Sequence, residues 1–347
     1  MSTLETNSIG KYSGNNVSVD DALNLKSYDT TQRNALTSVA GDTIYNSDDN
    51  KVQVYNGSSW DDLGAGAIAV DYLVVAGGGS GGTNATGGGG AGGLRSTIGN
   101  TGGGGSLESQ LFLDTGVNYT VLVGAGGASE TPNVVQGYNG TCSIFASITS
   151  VGGAGGAEAS GDLDGGGCGT TGNGGAGMTN QGFSGGGSTQ SNTGGGGGGA
   201  GAAGTSVTSG SDGGAGGIGG ISNIIDSTQA TSASVGQVVS TNVYYAGGGG
   251  GGDNNGASGA AGGTGGGGTG GGLSNAGVSG TANTGGAGGS GGGGAFTSGA
   301  GGAGVVIIKY PNTYTITVGA SLTSSSATTT GYKMEIFTAG TGTVSFA

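Results

Sequence analysis

The chain has 347 residues, of which 96 are glycine, two are proline and none is histidine, and its formal net charge is −13. Collagen needs glycine at every third position and abundant proline, so that reading is excluded. Seven basic residues against twenty acids argue against nucleic acid and anionic membrane as partners, and the sequence has no apolar run near the roughly 20 residues of a membrane span.

Composition divides the chain into three. Residues 1–66 hold 9 of the 20 acids and 4 of the 7 basic residues. The block from Ala67 to Gly304 holds 86 of the 96 glycines and only eleven charges. Strand-like sequence returns after it. The expected domains are an N-terminal attachment module (1–66), a glycine-rich domain (67–310) and a C-terminal β segment (311–347).

In the N-terminal region, Ser18–Leu23 offers a helix cap followed by early acids. Thr30–Leu36 adds a helical turn. Thr43–Asn46 and Lys51–Tyr55 alternate polar and apolar residues about Ser47-Asp48-Asp49-Asn50, a strong turn signal. Asn56-Gly57 makes a second turn, and Ser59–Leu63 completes a meander with Trp60, the sole tryptophan, as its expected core plug.

Within the glycine block, strand-like runs recur: Val70–Ala76, Val117–Ala125, Cys142–Val151, Val235–Ala246 and, closing the block, Val305–Tyr310. Tyr119–Ala125 matches Tyr314–Ala320 at five of seven positions. Between these runs the glycines themselves must form the interior. A polyproline-II chain has no internal hydrogen bonds and directs its N–H and C=O groups outward. All-glycine faces let such chains approach and pair their backbones. The expected fold class is therefore mainly β and irregular: a bundle of glycine-rich polyproline-II-type (polyglycine II) helices with short strands and hairpins, plus a small N-terminal β-meander.

Taken together, YLVVAGGGSGG, NYTVLVGAGGA, CSIFASITSVGGAGG, VYYAGGGGGG and GGAGVVIIKYP resemble the glycine-rich domain of bacteriophage tail-fibre and tip-adhesin proteins. Tyr28–Leu63 separately resembles a small module found near the ends of phage fibre proteins. The two resemblances cover about 300 residues. They imply a virion fibre protein that contacts the host surface. The chain's low aromatic content, 5%, departs from tips that carry aromatic-rich loops.

Several motifs point elsewhere. Gly77-x-Gly79-x-x-Gly82 follows a strand, as a dinucleotide fingerprint does, but the sequence after it cannot form the required helix. The run around Asp253 fits a calcium nonapeptide poorly and has no tandem copy. The pairs Asp48/Asp49, Asp61/Asp62 and Asp162/Asp164 suit turns and surfaces better than a hard cation. Asp162 and Asp164 could also flank a glycosidic bond, for which a solvated loop is the plainer reading. Without histidine the usual Ser and Cys triads are absent, and Cys142 with Cys168 makes no zinc set. No enzyme activity, cofactor or metal is expected.

The functional expectation is a tail-fibre or receptor-binding adhesin, the alternative being a structural virion fibre, decoration or connector. Tyr138, Asn139 and Asn133, with Asn223, Asp226 and Gln229, are the candidate receptor-binding residues, lying in loops near 129–141 and 222–243. Tyr45, Tyr55 and Trp60 are the candidate virion-attachment residues. Expected partners are other tail or fibre proteins, a host glycan or outer-membrane protein, and two further copies in a homotrimer. The start of the sequence lacks a basic and an apolar signal region, so the expected route is synthesis in the host cytoplasm and display on the virion exterior.

Overall fold

In the computed structural model, the residues described are 25–63, 67–132, 136–156, 175–190, 192–208, 212–256, 259–294 and 296–347. The expected cap at Ser18–Leu23 lies outside them, as do Asn133, Asp162, Asp164 and Cys168. The chain divides into two compact units, Met1–Gly66 and Ala67–Ala347.

The first unit is built from β1 (Ser27–Tyr28), α1 (Thr30–Asn34), β2 (Thr43–Asn46), β3 (Lys51–Tyr55) and β4 (Trp60–Asp62), its sheet ordered β1-β2-β3-β4. β1 runs parallel to β2; the rest is the antiparallel meander. Its buried centre is more polar than expected. Asn46 and Gln53 are almost fully enclosed beside Ile44, and Asn46 Nδ2 donates to Gln53 Oε1 at 3.1 Å and to Asp49 Oδ2 at 2.8 Å. Trp60 is half-buried rather than a plug.

The second unit comprises β5 (Ile68–Val75), β6 (Leu94–Ser96), β7 (Leu111–Leu113), β8 (Tyr119–Leu122), β9 (Ser143–Phe145), β10 (Ile148–Ser150), β11 (Gly220–Ile221), α2 (Ser227–Ala233), β12 (Gln237–Val239), β13 (Asn242–Tyr245), β14 (Val305–Pro311), β15 (Ile316–Val318), β16 (Leu322–Thr329) and β17 (Tyr332–Phe346). Ten of these strands form one sheet with the central order β10-β9-β8-β17-β14-β5-β6. β11, β13 and β12 form a second, smaller sheet.

The expected polyproline-II bundle is overturned. The described residues are mostly β, with 29% strand and 5% helix, and the second unit is organised on a nearly closed, barrel-like sheet. The physical reason is long-range pairing. The apolar runs do not merely punctuate the glycine stretches. β5, before the first glycine run, pairs antiparallel with β14, after the last, with Val75 opposite Val305 and Asp71 opposite Lys309. β17 then pairs with β14, β8, β15 and β16, so residues 311–347 complete the same sheet. The two similar segments noted above become β8 and β15, and both pair with the same end of β17 around Val344.

The central strands of this sheet, β5 and β14 above all, are buried on both faces. Leu73, Val75, Val305, Ile307, Met334 and Ile336 belong to one apolar cluster. Val70, Tyr72, Val74, Val306, Ile308 and Phe337 belong to the other. That is why Val305–Tyr310 reads as a continuous apolar run instead of an alternation. Several polar groups that enter this interior are paired, although the buried Tyr245 hydroxyl has no hydrogen-bond partner. Arg95 grips Glu108 with Nε to Oε1 at 2.7 Å and Nη2 to Oε2 at 2.6 Å, and the Tyr72 hydroxyl donates to Glu108 Oε2 at 2.7 Å. Glu335 accepts from the hydroxyls of Ser324 and Ser326.

Apart from a 3-10 turn at Gly102–Gly104 and Gly220 in β11, the described glycine runs lie outside helix and strand and hydrogen-bond to one another. Gly197 donates to the Gly249 carbonyl (2.8 Å), Gly249 to Gly89 (2.9 Å), Gly89 to Gly288 (2.9 Å), Gly288 to Gly79 (2.9 Å) and Gly79 to Gly90 (2.8 Å). A Cβ on Gly197 would collide with the Gly89 carbonyl, and one on Gly249 with that of Gly288. The motif Gly77-x-Gly79-x-x-Gly82 is part of this packing. Its N–H groups donate to the carbonyls of Thr141, Gly90 and Gly87, so they form no open phosphate cradle. Among the described residues Cys142 is unbridged.

Two outcomes follow for stability. Gly197→Ala places a methyl group against backbone that cannot yield, and is expected to cost more than about 4 kcal/mol, whereas Gly331→Ala, in open space but at φ +81°, costs about 1–2 kcal/mol. Thermal melts of the two variants decide this; equal melting temperatures would show that the glycine contacts are loose. Burial also raises the pKa of Tyr72 and of Tyr245, and pushes Tyr310 up to about 12, with Glu335 adding to the shift. A raised phenol pKa stabilises the fold fully below pH ~10, and that stability falls as pH climbs toward 12. Absorbance at 295 nm should therefore show these three tyrosines ionising together with alkaline unfolding, after the exposed ones.

Candidate functional site

In the first unit, polar and aromatic side chains converge beside α1. Asp29 starts the helix: its carboxylate accepts from Gln32 N at 2.7 Å while Gln32 Oε1 accepts from Asp29 N at 3.1 Å, a reciprocal cap that satisfies two helix-end donors. The cap places Arg33 on the last turn, from which Nη1 donates to Gln53 Oε1 at 2.9 Å. Strand register then decides which side chains share that face. Ile44 pairs with Gln53, Gln53 with Asp62, and Tyr55 with Trp60, so with a period of two all five stand on one side of the sheet.

Tyr55 and Trp60 lie with ring centroids 5.4 Å apart and planes tilted by 53°. They border a cavity of about 490 Å³. Arg33, Asn34, Leu36 and Ser38 line it from the helical side, and Ser58 and Ser59 from the β3–β4 turn. The Ser38 hydroxyl is out of reach of solvent and has no hydrogen-bond partner. Tyr45, the third attachment candidate, pairs with Val52 on the opposite face and donates its hydroxyl to Asn50 Oδ1 at 3.1 Å. The three attachment candidates therefore do not make one patch. Sequence reading missed Arg33, Asn34 and Ser38. The Asp29-x-x-Gln32 cap was the available signal, because it fixes where α1 starts and hence where Arg33 points.

The acidic pairs of this unit have structural partners. Asp62 accepts from Lys51 Nζ at 2.6 Å and from Gln53 Nε2 at 2.8 Å. The Lys51 hydrogen bond, then the Gln53 one, holds its carboxyl below the usual range. Asp61 accepts from Asn56 and Ser59, and Asp48 caps Thr30 N at 2.9 Å.

The receptor-binding candidates are scattered in the second unit. Tyr138 is 54% exposed and its loop is anchored to Ser80, whose N–H donates to the Tyr138 carbonyl at 2.9 Å and whose Oγ accepts from Tyr138 N at 2.8 Å. Asn139 Oδ1 accepts from Gly155 N at 2.8 Å. Asn133 lies outside the described residues. Asn223 Oδ1 accepts from Val243 N at 3.1 Å. Asp226 and Gln229 form the capping box of α2, and Gln229 Nε2 also donates to the Thr328 carbonyl at 3.0 Å, tying the helix to β16. Asp253 is fully buried; its Oδ1 accepts from Asn255 N at 2.7 Å and its Oδ2 has no partner.

A glycine-rich domain family model matches residues 54–311. The chain belongs to the glycine-rich domain family. The match begins at the end of β3 and stops at Pro311, the last residue of β14, so the glycine-rich domain of this chain is completed by β15–β17 from beyond the matched residues. Comparison with curated proteins and with solved structures gives no match. Membership fixes the kind of domain.

Asp226→Ala should destabilise the glycine-rich domain by about 1 kcal/mol, as loss of an N-cap does. Adding Gln229→Ala should cost less than the sum, because the two halves of the box are reciprocal. Denaturant melts of the single and double variants test this, and additive losses would refute the coupling. In the first unit the depressed Asp62 pKa contributes stability that is present above pH ~4 and lost as pH falls through the folded value. Asp62→Asn should flatten that acid limb in a melting-temperature profile against pH.

Proposed function

We propose that the chain is a bacteriophage tail-fibre or receptor-binding adhesin, displayed on the virion exterior and meeting the host surface through loops carried on a glycine-packed scaffold. The observation that supports this most is the interior of the second unit. Backbone N–H and C=O groups of successive glycine runs pair directly, and a side chain at those positions would strike a carbonyl. Such an interior suits a stiff support, and it leaves sequence variation to the loops. The resemblance of the glycine phrases and of Tyr28–Leu63 to phage fibre proteins supplies the rest of the reading. In it, residues 1–66 join the chain to other tail or fibre proteins. A host glycan or outer-membrane protein is the target, and three copies assemble so that weak contacts add by avidity.

A second reading, a structural virion fibre or connector without receptor contact, is favoured by one observation. Asn139, Asn223, Asp226 and Gln229 are all engaged within the chain, whereas Tyr138 is 54% exposed. Fluorescently labelled full-length protein incubated with a panel of bacterial strains separates the two readings. Saturable binding to some strains, blocked by antibody against the 129–141 loop, is the adhesin outcome. Binding to no strain, together with co-purification on virions, would leave the structural element.

A further inference from the structure

We infer that Asn56, in the β3–β4 turn, is a self-modification site: in the folded protein, and with the help of that turn, its side chain loses ammonia to the backbone and becomes aspartate or isoaspartate. The inference goes beyond the fibre reading and does not rest on it, because it concerns the chemistry of one turn.

The tripeptide Tyr-Asn-Gly occurs twice, at residues 55–57 and 138–140, followed by Ser58 and Thr141. Asparagine before glycine is prone to ring closure, because glycine has no Cβ to hinder the approach of its nitrogen to the asparagine side chain. The two local sequences are nearly equal, so a difference in their reactivity comes from the fold.

The backbone nucleophile is available at the first of them. Asn56 and Gly57 are both exposed, and the Gly57 N–H has no acceptor among the described residues. Gly140 is buried, and its N–H donates to the Gly153 carbonyl at 2.9 Å. It is packed so closely that a Cβ would strike the Gly77 carbonyl. Ring closure at Asn139 would break that packing.

The carbon under attack differs too. Asn56 Oδ1 accepts from Ser58 N at 2.8 Å, from Ser59 N at 2.9 Å and from Ser58 Oγ at 2.9 Å. Attack on Cγ moves negative charge onto this oxygen. The three donors therefore hold the transition state more tightly than the amide, as an oxyanion hole does. Asn139 Oδ1 instead receives the N–H of Gly155, at 2.8 Å.

The step is a displacement followed by a hydrolysis. Gly57 N forms a bond to Asn56 Cγ as the Cγ–Nδ2 bond breaks. The Gly57 proton passes to solvent, and ammonia leaves with a proton drawn from water. The product is a five-membered succinimide. Water then opens the ring at one of its two carbonyls, giving aspartate, or isoaspartate in which the main chain runs through the side chain. One water is consumed and one ammonia released, with no oxidant or reductant.

The product alters the turn. Asn56 Nδ2 donates to Asp61 Oδ2 at 2.8 Å and to Ser59 Oγ at 2.9 Å. A carboxylate in its place sets two like charges against each other. Isoaspartate also adds a methylene to the main chain beside Tyr55, whose partner across the hairpin is Trp60. Modification thus loosens the hairpin that carries the aromatic pair.

Full-length folded protein is held in mildly alkaline buffer at physiological temperature and sampled over weeks. Peptide mapping by mass spectrometry follows both asparagines, and an isoaspartate methyltransferase labels the rearranged product. A parallel sample in concentrated urea gives the rates without the fold. The expected result is a gain of one mass unit at residue 56 of the folded protein, at least about tenfold faster than at residue 139. In urea the two rates should draw together. Ser58→Ala, which removes the hydroxyl donor and keeps both N–H donors, should slow conversion severalfold. The inference is overturned if residue 56 of the folded protein stays intact while the urea sample converts, or if residue 139 keeps pace with residue 56 in the folded protein. It is equally overturned if Ser58→Ala converts as fast as wild type.

Discussion

Backbone donors buried in the glycine block need carbonyl partners on other segments, and they can reach them only where no Cβ intervenes. Everything else in the second unit conforms to that requirement. A buried N–H without a partner is costly, and an ordinary side chain would hold neighbouring segments too far apart for the bonds from Gly197 to Gly249, Gly249 to Gly89 and Gly89 to Gly288. Glycine brings an entropic penalty on ordering that most folds avoid. Here many such residues are ordered together, which makes sense only if an apolar frame fixes the ends of the runs.

The ten-stranded sheet is that frame. Val74 and Val306 face one apolar cluster while Val75 and Val305 face the other, so β5 and β14 are held from both sides. Each lies directly beside a glycine run: Gly77 follows β5, and Gly304 precedes β14 and donates to the Gly124 carbonyl. The sheet thus delivers both ends of the block to defined positions, and backbone pairing organises what lies between. The first unit works differently. Its centre is a side-chain network of Asn46, Gln53, Asp49 and Arg33, and its aromatics border a cavity instead of filling a core.

Much of the local structure was legible. Val305–Tyr310, Val70–Ala76 and the Thr43–Tyr55 hairpin were readable because β-branched and aromatic runs bounded by turn residues carry their own signal. Partnership was not legible. Nothing local in Val70–Ala76 says that its neighbour lies beyond Gly304, and a glycine run has no side-chain pattern from which its packing geometry could be read. The polyproline bundle was the simplest regular solution to a problem that the chain solves with irregular segments and a sheet. Trp60 was misplaced for a related reason: its period-two face is shared with Gln53 and Asp62, so it could not be enclosed by apolar neighbours. At the candidate sites, Asp226-x-x-Gln229 is a capping-box pattern. Reading it as such would have assigned both residues to helix α2 rather than to a receptor.

The pairing of Val75 with Val305 also sets an order of events during synthesis. The ribosome delivers β5 early, and the whole glycine block must emerge before β14 exists to cover its edge. Strand pairs so distant in sequence close slowly, because loop entropy is lost before any contact is gained. Until then β5 presents an apolar strand with an open side, the kind of edge that recruits other chains. β17, made after β14, joins β14 to β8. Closure of this sheet therefore waits on β14 and β17, and a nascent chain stalled anywhere in the glycine block would carry a β5 without its β14 partner, an aggregation-prone edge.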